Sequence, residues 1–312
     1  MDKEIYKTIT SAIAPAMIQE VVDKIVASVF YSENPIRELI PTVKGEGQAY
    51  VFNRRISSTA SWGSAITDTG SFTEADGTYV KVMKPYAIYG TTVKVTKFAR
   101  AITANYIDIL EQELTDRIRE FKEWEQRAII FGRYVAPYDA NTFAQGLLSQ
   151  ILTDLPTANV VDANGQLTLS KIDEALDMCQ GRPSLIICSR GTRRKLNALL
   201  QAQQMFVNEV EIKGGIRVLE IAGVPVLTSS AIPDTIQFGI PDGSPTAIAS
   251  LTGGNQSLML ILDLEDVLIA ELQPLTVEKV PTPSSQYEQY DIYEYITPVV
   301  KNPLRHAVIV RV

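Results

Sequence analysis

Residues 48 to 102 read as one long, polar, two-stranded ribbon, and that feature restricts the fold more than any other. A two-stranded hairpin is marginal in water because it has no further strand or helix on which to bury a face. A ribbon this long must lie on something, and the support it implies is another copy of the same chain. The strands are read from period two. In Gln48 to Ile56, Tyr50, Phe52 and Ile56 fall on one side, with Ala49, Val51 and Asn53 on the other. Ala87 to Lys97 alternates again, Val93 and Val95 against Thr92, Lys94 and Thr96. Between them, Ser57 to Gly77 holds nine Ser/Thr and three Gly in 21 residues, with Trp62, Ile66 and Phe72 as the only large apolar groups. Such a composition predicts a mobile tip rather than a core element.

An amphipathic helix from about Ala104 to Phe131 is expected next. Ile107, Leu110, Leu114, Ile118, Phe121, Trp124, Ala128 and Phe131 recur at steps of three and four, which draws one continuous stripe. The other face is charged, with Glu113 to Arg117 and Glu123 to Arg127 at i,i+4 spacing. At 1.5 Å per residue this helix is about 40 Å long, a spine, and Gly132 suits the position just past its end. Ahead of the ribbon, Ile5, Ile9 and Ile13, then Ile18, Val22, Ile25 and Val29 after the break at Pro15, predict a helical arm with one apolar face. Lys44 to Gly47 reads as a loose hinge.

From about Leu167 short helices and strands alternate. Ser170 with Asp173 resembles a capping box, Leu185 to Cys188 a buried strand, and Thr192 to Gln203 a basic helix. Strands are predicted at Ile216 to Ile221, Val224 to Leu227, Leu258 to Leu262 and Val267 to Leu272, and the chain ends in a strand from His306 to Val312. The whole reads as α+β, and 312 residues fit two lobes plus extensions.

Catalytic chemistry finds little support. The single histidine, His306, lies inside the last strand, no G-x-S-x-G motif occurs, and Gly45-Glu46-Gly47 lacks the third glycine of a dinucleotide fingerprint. No catalytic, cofactor-binding or metal site is therefore assigned. Asp263, Glu265 and Asp266 are read as turn acids rather than a cation site. Cys179 and Cys188 are read as buried free thiols. The basic cluster Arg190, Arg193, Arg194 and Lys195 is either a solvated helix face or a contact for a neighbouring subunit's acidic edge. The crowd of tyrosines around Tyr290 and Tyr293 suits an interface or a seam between lobes, and equally a half-buried strand. With 29 basic against 36 acidic residues the net charge is −7, which excludes a protein that coats nucleic acid by neutralising it but not one that encloses it. The start lacks a secretory signal, and no apolar run reaches the roughly 18 residues needed to cross a bilayer, so a soluble intracellular chain with no membrane partner is expected.

The order of these parts, with the strings ASWGSAITDTG, SLIICSRGTRRKLNALL, IAGVPVLTSSAIPD and DIYEYITPVVKNPLRHAVIVRV, resembles the tailed-bacteriophage major capsid proteins of the Hong Kong ninety-seven type. The resemblance implies an N-terminal arm in residues 1–44, an extended loop in 45–102, and a peripheral domain with the spine helix in 103–164. An axial domain in 165–272 follows, and the chain returns to the peripheral domain in 273–312. It implies a non-enzymatic shell subunit that assembles with itself as hexamers and pentamers around double-stranded DNA, within a virion assembled in the host cytoplasm. A separate scaffolding protein, a portal and a decoration protein are the further partners implied. Inter-subunit contacts are expected at Trp62, Phe72, Ile18, Val22, Ile25, Arg190, Arg193, Arg194, Tyr290 and Tyr293. The family's crosslink between an extended-loop lysine and a peripheral-domain asparagine is left unassigned, with Lys81, Lys84 and Asn302 as candidates. An encapsulin, a cellular shell around cargo enzymes, shares the fold and is the alternative.

Overall fold

A computed structural model describes residues 35–58, 77–103, 109–132, 144–154, 159–202, 209–212, 216–234, 257–281 and 286–312. The arm residues Ile18, Val22 and Ile25 and the tip residues Trp62 and Phe72 lie outside them. In chain order the elements are α1 (Pro35–Leu39), β1 (Thr42–Lys44), β2 (Ala49–Ser58), β3 (Gly77–Pro85), β4 (Ala87–Thr96), α2 (Lys97–Thr103), α3 (Ile109–Phe131) and α4 (Leu147–Thr153). There follow β5 (Val160–Asp162), α5 (Leu169–Met178), β6 (Leu185–Cys188), α6 (Arg190–Ala202), β7 (Glu209–Ile212), β8 (Ile216–Ile221) and β9 (Val224–Thr228). The last are β10 (Met259–Leu262), β11 (Val267–Val280), β12 (Tyr287–Val300), a 3-10 turn at Pro303–Arg305, and β13 (Ala307–Val310).

A seven-stranded mixed sheet, in the order β5-β13-β10-β6-β9-β8-β7, is buried on both faces at its centre. Period two sorts its residues between two cores. Leu185, Ile187, Leu258, Leu260, Leu262, Val308 and Val310 face a core shared with α3 and α4, while Ile186, Cys188, Met259, Ile261, Ala307 and Ile309 face one shared with α5 and α6. Strands that read as continuous apolar runs are those with no wet side. The tight turn from β8 to β9 is made by Ala222 and Gly223, both at positive φ (50° and 80°), as a two-residue hairpin with primed-turn geometry requires.

A four-stranded sheet, β1-β11-β12-β4, carries the spine helix α3. Leu110, Leu114 and Ile118 pack with Val93, Val95 and Ile292, while Phe121, Trp124 and Ala128 join the large core, so the predicted stripe is the buried face. The helix is described from Ile109, the expected start at 104–108 lies outside the described residues, and Lys97–Thr103 form helix α2. Gly132 follows it at φ 52°, where an added Cβ would strike the backbone of Ala144 and Gly146.

The ribbon differs from the reading of residues 48–102 as one hairpin. β2 pairs antiparallel with β3, from Ala49↔Pro85 to Ser58↔Gly77, and the chain then leaves the ribbon. β4 pairs with β12 instead, Thr96↔Tyr287 through Ala87↔Ile296. The alternation of Val93 and Val95 was legible, but alternation reports which face is apolar and says nothing about which strand lies alongside. Two further expectations move. β11 runs on past Leu272 to Val280, because Pro274 sits where the register shifts and no ladder N–H is required. α5 is capped by Thr168, whose side chain accepts from Lys171 N–H, not by Ser170.

Candidate assembly surfaces

One face of the ribbon is held by its own chain. Tyr50 and Phe52 rest on Leu268, Ala270 and Val299 of the four-stranded sheet. Beyond them, Arg54 and Lys84 converge on Asp154, just past α4. Arg54 Nη2 donates to Asp154 Oδ2 at 3.1 Å and to the Val300 carbonyl at 3.0 Å, and its Nε donates to the Lys301 carbonyl at 2.6 Å. Lys84 Nζ donates to both Asp154 carboxylate oxygens, at 2.9 and 2.8 Å, and to Gln145 Oε1 at 2.7 Å. Arg54 and Lys84 are 9% and 4% exposed, so this is a dehydrated cluster whose polar atoms find partners in the protein. Lys84, a crosslink candidate, is thereby engaged inside its own subunit. Asn302 caps the 3-10 turn by accepting from Leu304 N–H.

The opposite face of the ribbon has no such cover. Val51 and Met83 are cross-strand partners, as are Arg55 and Tyr79. Val51, Met83 and Tyr79 are 43%, 60% and 66% exposed. Large apolar side chains on one side of a two-stranded ribbon are what a docking strip needs.

Arg190, Arg193, Arg194 and Lys195 are all exposed in the first turns of α6. Beside them Asp234 accepts from Gly191 N–H at 2.9 Å. The hydrogen bond from Ser189, then that N–H and the charges of Arg194 and Lys195, hold its carboxyl below the usual range against the effect of burial. Asp234 thus caps the helix and sits among the cations, leaving the outer arginine side chains on the surface.

Tyr290 and Tyr293 lie on β12, one of the two inner strands of the four-stranded sheet, so the tyrosine-rich stretch is a half-buried strand. They face opposite ways. Tyr290 packs against the cluster of Val93, Val95, Leu110 and Ile292 beneath α3, with Lys279 Nζ 5.6 Å from its ring centroid. Tyr293 stacks on Tyr295 (5.6 Å between centroids) and donates to Glu278 Oε2 at 2.8 Å, a bond that raises its phenol above the ordinary value. Ile88, the register partner of Tyr295, is 74% exposed on this outer face.

The acids Asp263, Glu265 and Asp266 share one cation: Arg305 reaches them at 2.7, 3.1 and 3.1 Å. His306 is fully buried, its Nδ1 accepts from Asp263 N–H at 3.1 Å, and burial pushes its imidazole down to about 4. It is a neutral structural acceptor. Burial likewise pushes the thiols of Cys179 and Cys188 up to about 11 and about 12. Among the described residues no cluster of His, Cys, Asp and Glu is placed to hold a metal ion, and no helix is long and apolar enough to cross a membrane. Two charged groups went unread in the sequence. Glu125 interrupts the apolar stripe of α3, and Glu294 sits between Ile292 and Ile296 in a period-two run; both are buried. A charge in an apolar register was the available signal.

A family model described as the SU10 major capsid protein matches residues 20–312. No match is found among curated proteins. Among solved structures the chain is similar to the holo-SrpI encapsulin complex from Synechococcus elongatus PCC 7942, at 14% identity over 97% of this chain and 95% of that one, with a TM-score of 0.66. It is similar to the capsid of a native GTA particle, at 14% identity, 98% and 99% coverage and a TM-score of 0.66. It is also similar to a structure from Microbacterium phage Oxtober96, at 14% identity, 97% and 99% coverage and a TM-score of 0.65. At such identities the likeness establishes the fold, which is of the Hong Kong ninety-seven capsid type. With the family model spanning nearly the whole chain through to its last strand, the chain belongs to the SU10 major capsid protein family.

Proposed function

We propose that this major capsid protein closes the head of a tailed bacteriophage by tiling as hexamers and pentamers around double-stranded DNA. The observation that carries this reading is the two-sided ribbon: one face is fastened to the body through Asp154, and the other presents Val51, Met83 and Tyr79 to solvent. A second copy is the natural cover, since a closed shell repeats the same heterologous contact around each symmetry axis. Each contact is modest, and strength comes from every subunit being held by several neighbours.

Trp62 and Phe72 in the tip and Ile18, Val22 and Ile25 in the arm extend the same contact to adjacent subunits. Arg190, Arg193 and Arg194 meet an acidic edge across an axis, and the outer face of the four-stranded sheet around Tyr293 adds a further contact. Tyr290, packed under α3, supports that sheet from within. The residue ranges implied for arm, loop, peripheral and axial domains serve as the tile's parts, with the ribbon confined to Ala49–Pro85. The role is mechanical rather than catalytic, with assembly in the host cytoplasm on a separate scaffolding protein and alongside portal and decoration proteins. A net charge of −7 leaves packaged DNA mobile rather than adsorbed.

The similarity to an encapsulin complex favours a second reading, a cellular shell around cargo proteins. The contents decide: particles purified after nuclease treatment and then opened are expected to release protected double-stranded DNA. Release of protein cargo without nucleic acid would replace the phage reading with the cellular one.

A further inference from the structure

Four charged side chains from four elements gather where α1 rests on the body, Glu125 and Glu294 buried and Arg37 and Glu271 part-buried. Arg37 comes from α1, Glu125 from α3, Glu271 from β11 and Glu294 from β12. Arg37 Nη2 donates to Glu271 Oε2 at 2.9 Å, and Arg37 Nε lies 3.6 Å from Glu125 Oε1. Glu294 is 2% exposed, and its Oε1 has no hydrogen-bond partner among the described residues. On the other flank of β12, β4 presents Tyr89 as the register partner of Glu294, with its hydroxyl accepting from Ala144 N–H at 3.2 Å. Among the described residues Arg37 pairs with Glu125 and Glu271, and Glu294 lies within electrostatic reach of all three. An ionised Glu294 would be a buried carboxylate with an unpartnered oxygen beside two further acids, which costs more than leaving that carboxyl protonated.

We propose that Arg37, Glu125, Glu271 and Glu294 form a proton-dependent clamp that fastens α1, the entry point of the N-terminal segment, to the spine helix and the four-stranded sheet. While the cluster holds a proton, one carboxyl is neutral and the remaining charges share the arginine. When that proton leaves, mutual repulsion loosens α1, which is otherwise pegged by Ile36 and Ile40 in the large core. The proton belongs to the cluster rather than to one oxygen.

Glu294 is pushed up to about 8, by burial first and the charge of Glu125 next, with Arg37 opposing and Glu271 adding to the rise. An unfolded glutamate titrates at about 4.3, so between these values the folded chain keeps a proton that the unfolded chain has lost. Stability therefore falls as pH rises across that window, by up to about tenfold in the folded-to-unfolded ratio per pH unit. His306 has the opposite sign. It stays neutral in the fold down to about 4, whereas the unfolded chain protonates it below ~6.5, so its contribution grows with pH up to that point. The clamp's slope thus stands clear between about pH 6.5 and 8. The thiols of Cys179 and Cys188, raised in the fold, titrate above that range.

The test compares the 312-residue chain with Glu294→Gln in two readouts, thermal unfolding across that window and amide exchange at Ile40, whose N–H bonds the Ile36 carbonyl. The unmodified chain is expected to lose stability toward the alkaline end and to lose protection at Ile40 relative to Ile187 in β6, while Glu294→Gln shows neither trend. Equal slopes in the two chains, or no slope in the unmodified chain, would overturn the clamp. Should Glu294→Gln fail to fold, the ratio of Ile40 to Ile187 protection in the unmodified chain decides alone: a ratio falling with pH supports the clamp, and a constant ratio refutes it.

Discussion

The seven-stranded sheet, apolar throughout at its centre, and the alternating β2–β3 ribbon end in opposite circumstances. At the centre of the sheet both faces are covered by the chain's own helices, so Ile187 and Leu260 are fully buried. In the ribbon one face is bolted down and the other is bare, with Met83 60% exposed. The comparison teaches that alternation alone does not say whether a strand's apolar residues are covered by the chain that carries them. In the sheet the hydrophobic effect acts within the subunit, and on one face of the ribbon the apolar area stays exposed, available to the assembly proposed above.

Substitutions can break that contrast, and the bolt at the ribbon's base gives the largest effect. Asp154→Ala strands two dehydrated cations, Arg54 and Lys84, at a cost of about 3–5 kcal/mol. Limited proteolysis should find the ribbon detached and cleaved, and an intact ribbon would mean that the packing of Tyr50 and Phe52 suffices without the ions. Leu260→Ala leaves a cavity in the sheet and should lower the stability of the dissociated subunit by about 2–5 kcal/mol in denaturant titration. A loss confined to assembled particles would contradict the claim that this sheet is complete by itself.

The two regions were unequally legible. Leu185–Cys188 and Leu258–Leu262 announced themselves because strands wet on neither side are apolar throughout. The ribbon's existence was legible as well, yet Ala87–Lys97 was paired with the wrong strand, because period two fixes faces and leaves partners to the tertiary fold. Arg54 drew no reading and Lys84 was named only as a crosslink candidate; only a fold that brings Asp154 between them makes a bolt. The same limit hid the Arg37 clamp, whose members are separated by up to 257 positions, from 37 to 294.

Smaller effects on the isolated subunit sharpen the contrast from the other side. Trp62→Ala is expected to reduce particle yield and heat resistance while leaving the dissociated subunit's unfolding unchanged; particles of normal yield and heat resistance would remove Trp62 from the contact. The double change Val51→Ser with Met83→Ser touches only the bare face, so subunit stability should move by no more than about 0.5 kcal/mol. Particle formation, followed by light scattering, should nevertheless fall.

Met83 itself offers the most direct measurement. Oxidative footprinting of its thioether, carried out on dissociated subunits and on intact particles of the same preparation, reads whether the bare face of the ribbon is covered by another copy. Strong protection in particles against rapid oxidation in free subunits is the predicted result. Equal reactivity in both states would contradict the account.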